Sequence, residues 1–140
     1  SIEIDLSENS QFGIYFGGIL SGESETVLDI VSRQETIGSH FLLRGRAVSL
    51  ESSRFAASTL GVVGSAADQS SCVYDLQVLQ IEKGGVVYGE PRMEVGRGDI
   101  IAEHGFSVGR IPSEELTYLK SRGIGMDEAE NMYAKGFLGL

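Results

Sequence analysis

A single cysteine, Cys72, stands in 140 residues, and its isolation excludes two things. No internal disulfide can form, which fits a reducing compartment. A four-thiolate zinc or iron–sulfur site made by one chain alone is also impossible. Proline is nearly as scarce, at 2 against 19 glycines, so the chain carries many tight turns and few rigid breaks. Basic charge is short as well: 11 Lys and Arg face 20 Asp and Glu, a formal net charge of −9. A nucleic-acid binder presents a basic face to the phosphates, and this acidity argues against that class. Arg44 and Arg46 form a tight basic pair in the β region. Alternate strand positions put them on one face, where a solvated strand surface accounts for them most simply. No apolar run approaches the roughly 18 residues of a membrane helix. The N-terminus alternates polar and apolar residues without a basic region, so no secretory leader is expected, and the expected location is the cytoplasm.

Catalytic signatures are missing too. There is no GxxxxGK[ST], so any nucleotide hydrolysis would belong to a partner. HExxH and CxxC are absent, and the GxSxG that Gly105 to Gly109 spell is a single short motif standing alone. Gly105 to Gly109 lacks the strand–GxGxxG–helix context of a phosphate loop, and Arg97-Gly98-Asp99 is expected to be an accidental tripeptide in a β turn. A carbohydrate-active β protein would need clustered carboxylates on one face. Among the predicted strands, only Glu3 and Asp5 near the terminus offer acidic residues two apart. No enzymatic activity is expected.

What is present is β character from residue 1 to about residue 111. Ile2, Ile4 and Leu6 alternate with Glu3 and Asp5 as in a half-buried strand. QFGIYFGGIL is β-rich but interrupted by Gly17-Gly18. TVLDIV, SHFLLRGRAVSL, RFAASTLGVVG and CVYDLQVLQI follow. In the second of these, Leu42, Arg44, Arg46 and Val48 share one face, and Leu43, Gly45 and Ala47 the other. VVYG and RMEV come next, set off by turns at Gly84-Gly85 and near Pro91, and IIAEH is the last strand. Turns recur every ten to fifteen residues with no helix between, which predicts an all-β sandwich, barrel or β-helix. Small residues such as Ala56-Ala57-Ser58 favour flat stacked sheets and hence a solenoid, although no exact repeat is visible.

Residues 112–140 differ and predict a helical hairpin on a β body of residues 1–111. Ser113 is placed to cap a first helix, and Glu114 and Glu115 suit its positive N-terminus. Lys120 and Arg122 suit its other end, and Gly123 stops it in the left-handed position. Asp127 opens a second helix with Glu130 as capping-box partner. Ala129, Met132, Tyr133 and Phe137 recur at helical spacing. So short a hairpin must bury its apolar stripe against the body or against a partner.

The run AEHGFSVGRIPSEELTYLKSRGIGMDEAENMYAKGFL resembles the C-terminal end of SufB and SufD, scaffold subunits of the Suf iron–sulfur cluster assembly system. The resemblance is carried by His104-Gly105 and Val108-Gly109-Arg110-Ile111. Leu116, Tyr118, Leu119 and Ser121 to Ile124 follow in order. The Asp127-Glu128-Ala129 opening and the Gly136-Phe137 ending complete it. PRMEV resembles the family's Pro-x-hydrophobic-Glu-hydrophobic strand, and SHFLLRGRAV resembles a further family segment. The match is specific from Pro91 to Leu138 and weaker from Ser39 to Gly89. Family members are usually much longer, so the chain is expected to be either a short member or a C-terminal portion.

The resemblance implies a right-handed parallel β-helix followed by helices. It implies docking of the SufC-type ABC ATPase on those helices, with Leu116, Tyr118, Leu119, Arg122, Met132 and Phe137 as the candidate contacts. It implies pairing with a SufB-type scaffold or with a second copy of the chain. His104 matches the family histidine implicated in cluster assembly at the scaffold interface, and Glu103 is its acidic neighbour. Imidazole is a good iron ligand, which makes His104 the one metal-ligand candidate. Adjacent strand residues face opposite ways, so both could reach one metal only if the strand bends at Gly105. Without such a role, His104 would be a strand-end histidine bonded to backbone. SufB members carry a cysteine where this chain has Gly85, so the chain is more similar to SufD. It should hold no cofactor stably by itself, and at most share a transient Fe–S cluster with a partner. The alternative is a β-helix interaction module that oligomerises and has no Fe–S role.

Overall fold

Asn9, Gly38 and Gln69 each hold a positive φ, of 53°, 69° and 53°. Each is followed by a serine, and they stand about thirty residues apart. Gly22 and Glu51, with φ of 65° and 54°, form a second such series on the opposite edge. These left-handed corners fold the chain back once per half-turn. At Gly38 the conformation and the space both call for glycine, because a Cβ there would fall 2.3 Å from Asn9 Oδ1 of the corner before it.

Between corners run straight strands. In the computed structural model, which describes residues 1–81 and 85–140, these are β1 (Ile2–Leu6), β2 (Gln11–Leu20), β3 (Glu25–Gln34), β4 (His40–Ser49), β5 (Arg54–Val63), β6 (Ser71–Gln80), β7 (Val86–Val95) and β8 (Ile101–Gly109). Alternate strands pair, in the orders β1-β3-β5-β7 and β2-β4-β6-β8, and every pairing is parallel. The result is a β-solenoid of about four turns, as expected.

Parallel register stacks each residue on its counterpart one coil away. One inward column reads Phe12, Phe41, Cys72, Ala102, and the next reads Ile14, Leu43, Tyr74, His104. The third is Phe16, Gly45, Leu76, Phe106. Two glycines leave space that rings fill: a Cβ on Gly45 would lie 2.2 Å from the Phe16 ring, and one on Gly89 2.3 Å from Phe106. Phe41 lies 5.1 Å from Tyr74, ring centre to ring centre. Burial of this apolar column set is the main stabilising term, about 1.5–3 kcal/mol for each fully buried large side chain.

Several local expectations are corrected. Gly17-Gly18 does not interrupt β2, and a Cβ added at Gly17 would make only ordinary contact with Leu138 Cδ2, at 3.7 Å. VVYG and RMEV are one strand, β7, with Pro91 inside it. Pro is tolerated there because β7 is an edge strand that needs fewer donors. Of the expected turn at Gly84-Gly85, Gly84 lies outside the described residues. IIAEH is not the end of the sheet, because β8 continues to Gly109.

The hairpin consists of α1 (Ser113–Ser121) and α2 (Met126–Leu138). Ser113 lies inside α1, not at its cap, which is Pro112, and its carbonyl accepts from the Thr117 hydroxyl at 2.8 Å. The capping box is not formed either: α2 is capped by Gly125 with no side-chain cap bond, and Asp127 and Glu128 occupy its first turn. Gly123 does sit left-handed, at φ 84°. α2 lies on the outer face of the β2-β4-β6-β8 sheet. Val48 and Leu79, outward residues at the ends of β4 and β6, are buried there with Ala134, against Phe137 and Leu138. On the outer face of the other sheet Val27 and Tyr88 are exposed.

Candidate functional site

α1 buries no residue, and α2 fully buries only Ala129 and Ala134. The stripe of apolar side chains is therefore only part-covered, and what remains lines a groove between the two helices and the solenoid. Its volume is about 860 Å³, and its walls include Leu79, Tyr118, Leu119, Met132 and Phe137, with Arg110, Glu114 and Glu115 also on the lining. Four of the six expected docking residues thus converge. Leu116 and Arg122 do not line the groove. Arg122 sits with its guanidinium 5.3 Å from the centre of the Tyr118 ring, one turn earlier on α1. Arg110, Glu114 and Glu115 were not singled out for this groove in the sequence. Their signal was the junction motif itself, which places a cation and two carboxylates where the last strand hands over to α1.

His104 is the fourth residue of the nine in β8, so it is not a strand-end histidine. Its register partner is the buried Tyr74, and it continues the inward column of Ile14, Leu43 and Tyr74. β8 is the last strand of its sheet, so among the described residues no strand stacks beyond it, and His104 is exposed. Glu103 pairs in register with Val73 on the outward face. Gly105 stays in the strand opposite Asp75, and the bend that would let Glu103 and His104 share one metal does not form. Both nevertheless line one shallow pocket of about 250 Å³ with Arg44, Asp75 and Tyr74. Arg44 pairs there with Asp75 at 3.6 Å, and Gln77 Nε2 donates to Asp75 at 3.2 Å. Among the described residues, no group of three or more His, Cys, Asp or Glu side chains is close enough to hold a metal ion.

Beneath His104 lies a buried polar cluster. The Tyr74 hydroxyl donates to the Leu60 carbonyl at 3.1 Å and meets Ser32 Oγ at 2.6 Å. Ser32 Oγ is also 3.7 Å from Cys72 Sγ. Burial pushes the Cys72 thiol up to about 11 and the Tyr74 phenol up to about 12, each against a smaller lowering from the Ser32 hydroxyl. Cys72 is therefore a protonated core thiol, inert as a nucleophile or metal ligand at neutral pH. Gly85 lies just before β7, against Ser49 Oγ and the Ser53 carbonyl, where an added Cβ would be 2.9 Å from each. Arg97, in the Arg97-Gly98-Asp99 tripeptide, bonds Asp99 and pairs with Asp68 at 3.0 Å, a structural tie between two corners. Among the described residues, no helix is long and apolar enough to cross a membrane.

Comparison with known proteins bears on the whole of this arrangement. The family described as "SUF system FeS cluster assembly, SufBD core domain" matches residues 7–137. An iron–sulfur cluster assembly SufBD family protein of Methanothermobacter thermautotrophicus (strain Winter) is 32% identical over 135 residues, covering 95% of this chain and 32% of that protein. The iron–sulfur cluster assembly protein SufD of Escherichia coli (strain K12) is 40% identical over 48 residues, 34% of this chain and 11% of that one. SufD of Bacillus subtilis (strain 168) is 32% identical over 79 residues, 56% of this chain and 18% of that one. The chain thus spans about a third of the length of the curated relatives that match it throughout. With the β-solenoid, the hairpin and a family match running through both, the chain belongs to the SufBD family of iron–sulfur cluster assembly proteins.

Proposed function

We propose that this chain is a non-enzymatic, SufD-like scaffold element that docks a SufC-type ABC ATPase on its helical hairpin. The observation that carries the proposal is the groove: Tyr118, Leu119, Met132 and Phe137 converge on an apolar cleft that the solenoid leaves open. An uncovered cleft of this size, rimmed by charge, suits an apolar segment of a protein partner. The SufD-like assignment is supported by Gly85 standing where the thiolate-bearing members have cysteine, and by the SufD relatives.

The free edges of β7 and β8 supply the second contact. Each presents a row of unpaired backbone groups to which a SufB-type scaffold, or a second copy, can add a strand. His104 stands on one of those edges, so strand addition brings the partner's donors to it. A nascent Fe–S cluster is then cargo shared across the joint, with imidazole as this chain's contribution. Glu103, on the other face of β8, acts on the pocket's charge and not as a second ligand.

The test is native mass spectrometry of the chain with the SufC-type ATPase of the same organism, with and without ATP. A stoichiometric complex is expected, lost when the chain stops before Pro112 and weakened at least about tenfold by Tyr118→Asp or Met132→Asp. Both residues are exposed, so the variants should fold normally. No complex between two folded proteins would refute docking and leave a plain interaction module.

A further inference from the structure

Arg46 is the basic residue that the sequence leaves on a solvated strand face. In the structure its guanidinium meets the last turn of α2. Nη1 donates to the Phe137 carbonyl at 2.9 Å, and Cζ lies 5.7 Å from the centre of the Phe137 ring. The side chain is half-buried, whereas Arg44, two residues earlier on the same face, is exposed. The accepting carbonyl belongs to a helix C-terminus, where unpaired carbonyls concentrate partial negative charge and favour a cation. One strand residue thus supplies a charge-assisted hydrogen bond, a helix-end charge and a ring contact to one residue of the hairpin. Phe137 itself faces two ways: it packs on the Val48, Leu79 and Ala134 cluster and forms a wall of the groove.

We propose that Arg46 is a positioning residue for the docking groove, holding the end of α2 on β4 so that Phe137 stays in place as a wall. This rests on the docking proposed above. The apolar hold on the hairpin is thin, since α1 buries no residue and α2 fully buries two alanines, so a single charge-assisted tie weighs heavily. The tie needs a cation with a donor. Lysine at position 46 keeps both in part, and a neutral side chain does not.

The experiment compares the full chain with its R46A and R46K variants in two measurements. Hydrogen exchange without any partner reads the hairpin directly. In R46A the amides of the last turns of α2 should exchange about tenfold faster, with β4 and β6 unchanged. Titration with the SufC-type ATPase reads the groove, and R46A should bind about tenfold more weakly. R46K should lie within about threefold of the parent in both. Unchanged exchange in R46A overturns the proposal, as does faster exchange with unchanged ATPase binding. Equal loss in R46A and R46K overturns the charge-based tie. If R46A also loosens the solenoid strands, R46Q, which keeps a donor without the charge, is read in its place. If the parent chain binds no ATPase, the docking reading fails, and the exchange comparison still decides whether Arg46 holds the hairpin.

Discussion

Tyr74→Phe is the sharpest probe of the floor beneath His104. The substitution keeps the ring, and with it the contact to Phe41 at 5.1 Å. It removes only the hydroxyl that donates to the Leu60 carbonyl and meets Ser32 Oγ at 2.6 Å. One net buried hydrogen bond is worth about 1 kcal/mol, and an orphaned buried hydroxyl costs a further 1–2 kcal/mol or so. Ser32 is fully buried and would be left with only the weak contact to Cys72 Sγ at 3.7 Å. The expected loss is therefore about 2–3 kcal/mol, read as a lower urea midpoint with an unchanged slope. Adding Ser32→Ala removes the orphan, so the double variant should be at least about 1 kcal/mol more stable than the sum of the two single losses implies. The phenol also titrates differently in the two states. The folded protein keeps its proton to about pH 12, while the ordinary value is 10.0. Its contribution is present in full below pH 10 and lost as pH rises towards 12, a slope that the Phe variant lacks. A Tyr74→Phe protein within about 0.3 kcal/mol of the parent, with additive behaviour in the double variant, would refute the network.

Cys72 follows the same sign. Its folded thiol holds a proton to about 11 against an ordinary 9.0, so stability is intact below pH 9. It should fall by about 2–3 kcal/mol between pH 9 and 11. Urea midpoints at pH 8 and 10.5 should show that decline in the parent and a shallower one in Cys72→Ala; equal declines would mean that thiol burial is not the source. Gly45→Ala forces a Cβ to 2.2 Å from Phe16 Cζ and 2.7 Å from Leu76 Cδ2, an overpacking cost of about 1–3 kcal/mol. Thermal melts should show it, with Gly18→Ala, which meets nothing within 4 Å, as the near-neutral control. His104→Ala alters an exposed side chain and should change stability by less than about 0.5 kcal/mol. In a reconstitution with a SufB-type partner and the ATPase it should nevertheless lower the yield of assembled cluster, and an undiminished yield would remove His104 from that role.

The strands and the hairpin were legible because they depend on local pattern: alternation in β4, and helical spacing of Ala129, Met132, Tyr133 and Phe137. The coil period was not, because a solenoid repeats chemistry by column and not by identity. Phe16, Gly45, Leu76 and Phe106 occupy equivalent positions, yet no comparison of residue types pairs a glycine with a phenylalanine. The corners were the better signal, with Asn9-Ser10, Gly38-Ser39 and Gln69-Ser70 each joining a left-handed residue to a serine. The helix caps were misread for a different reason. Ser113 and Asp127 had the right chemistry, but Pro112 and Gly125 one and two residues earlier already hold the N-cap positions. Arg46 was beyond reach, because alternation gives the face of a side chain and not what covers it, and its cover lies 91 residues downstream. The same limit applies to His104. Sequence could place it beside Glu103, but only the register shows it following isoleucine, leucine and tyrosine in an inward column. An apolar column that ends in imidazole breaks the consistency that the rest of the core maintains, and such breaks concentrate where a fold serves function. A solenoid closed by its own cap would place hydrocarbon there. An exposed imidazole on an edge strand is such a break, and the reconstitution with His104→Ala decides whether it serves function.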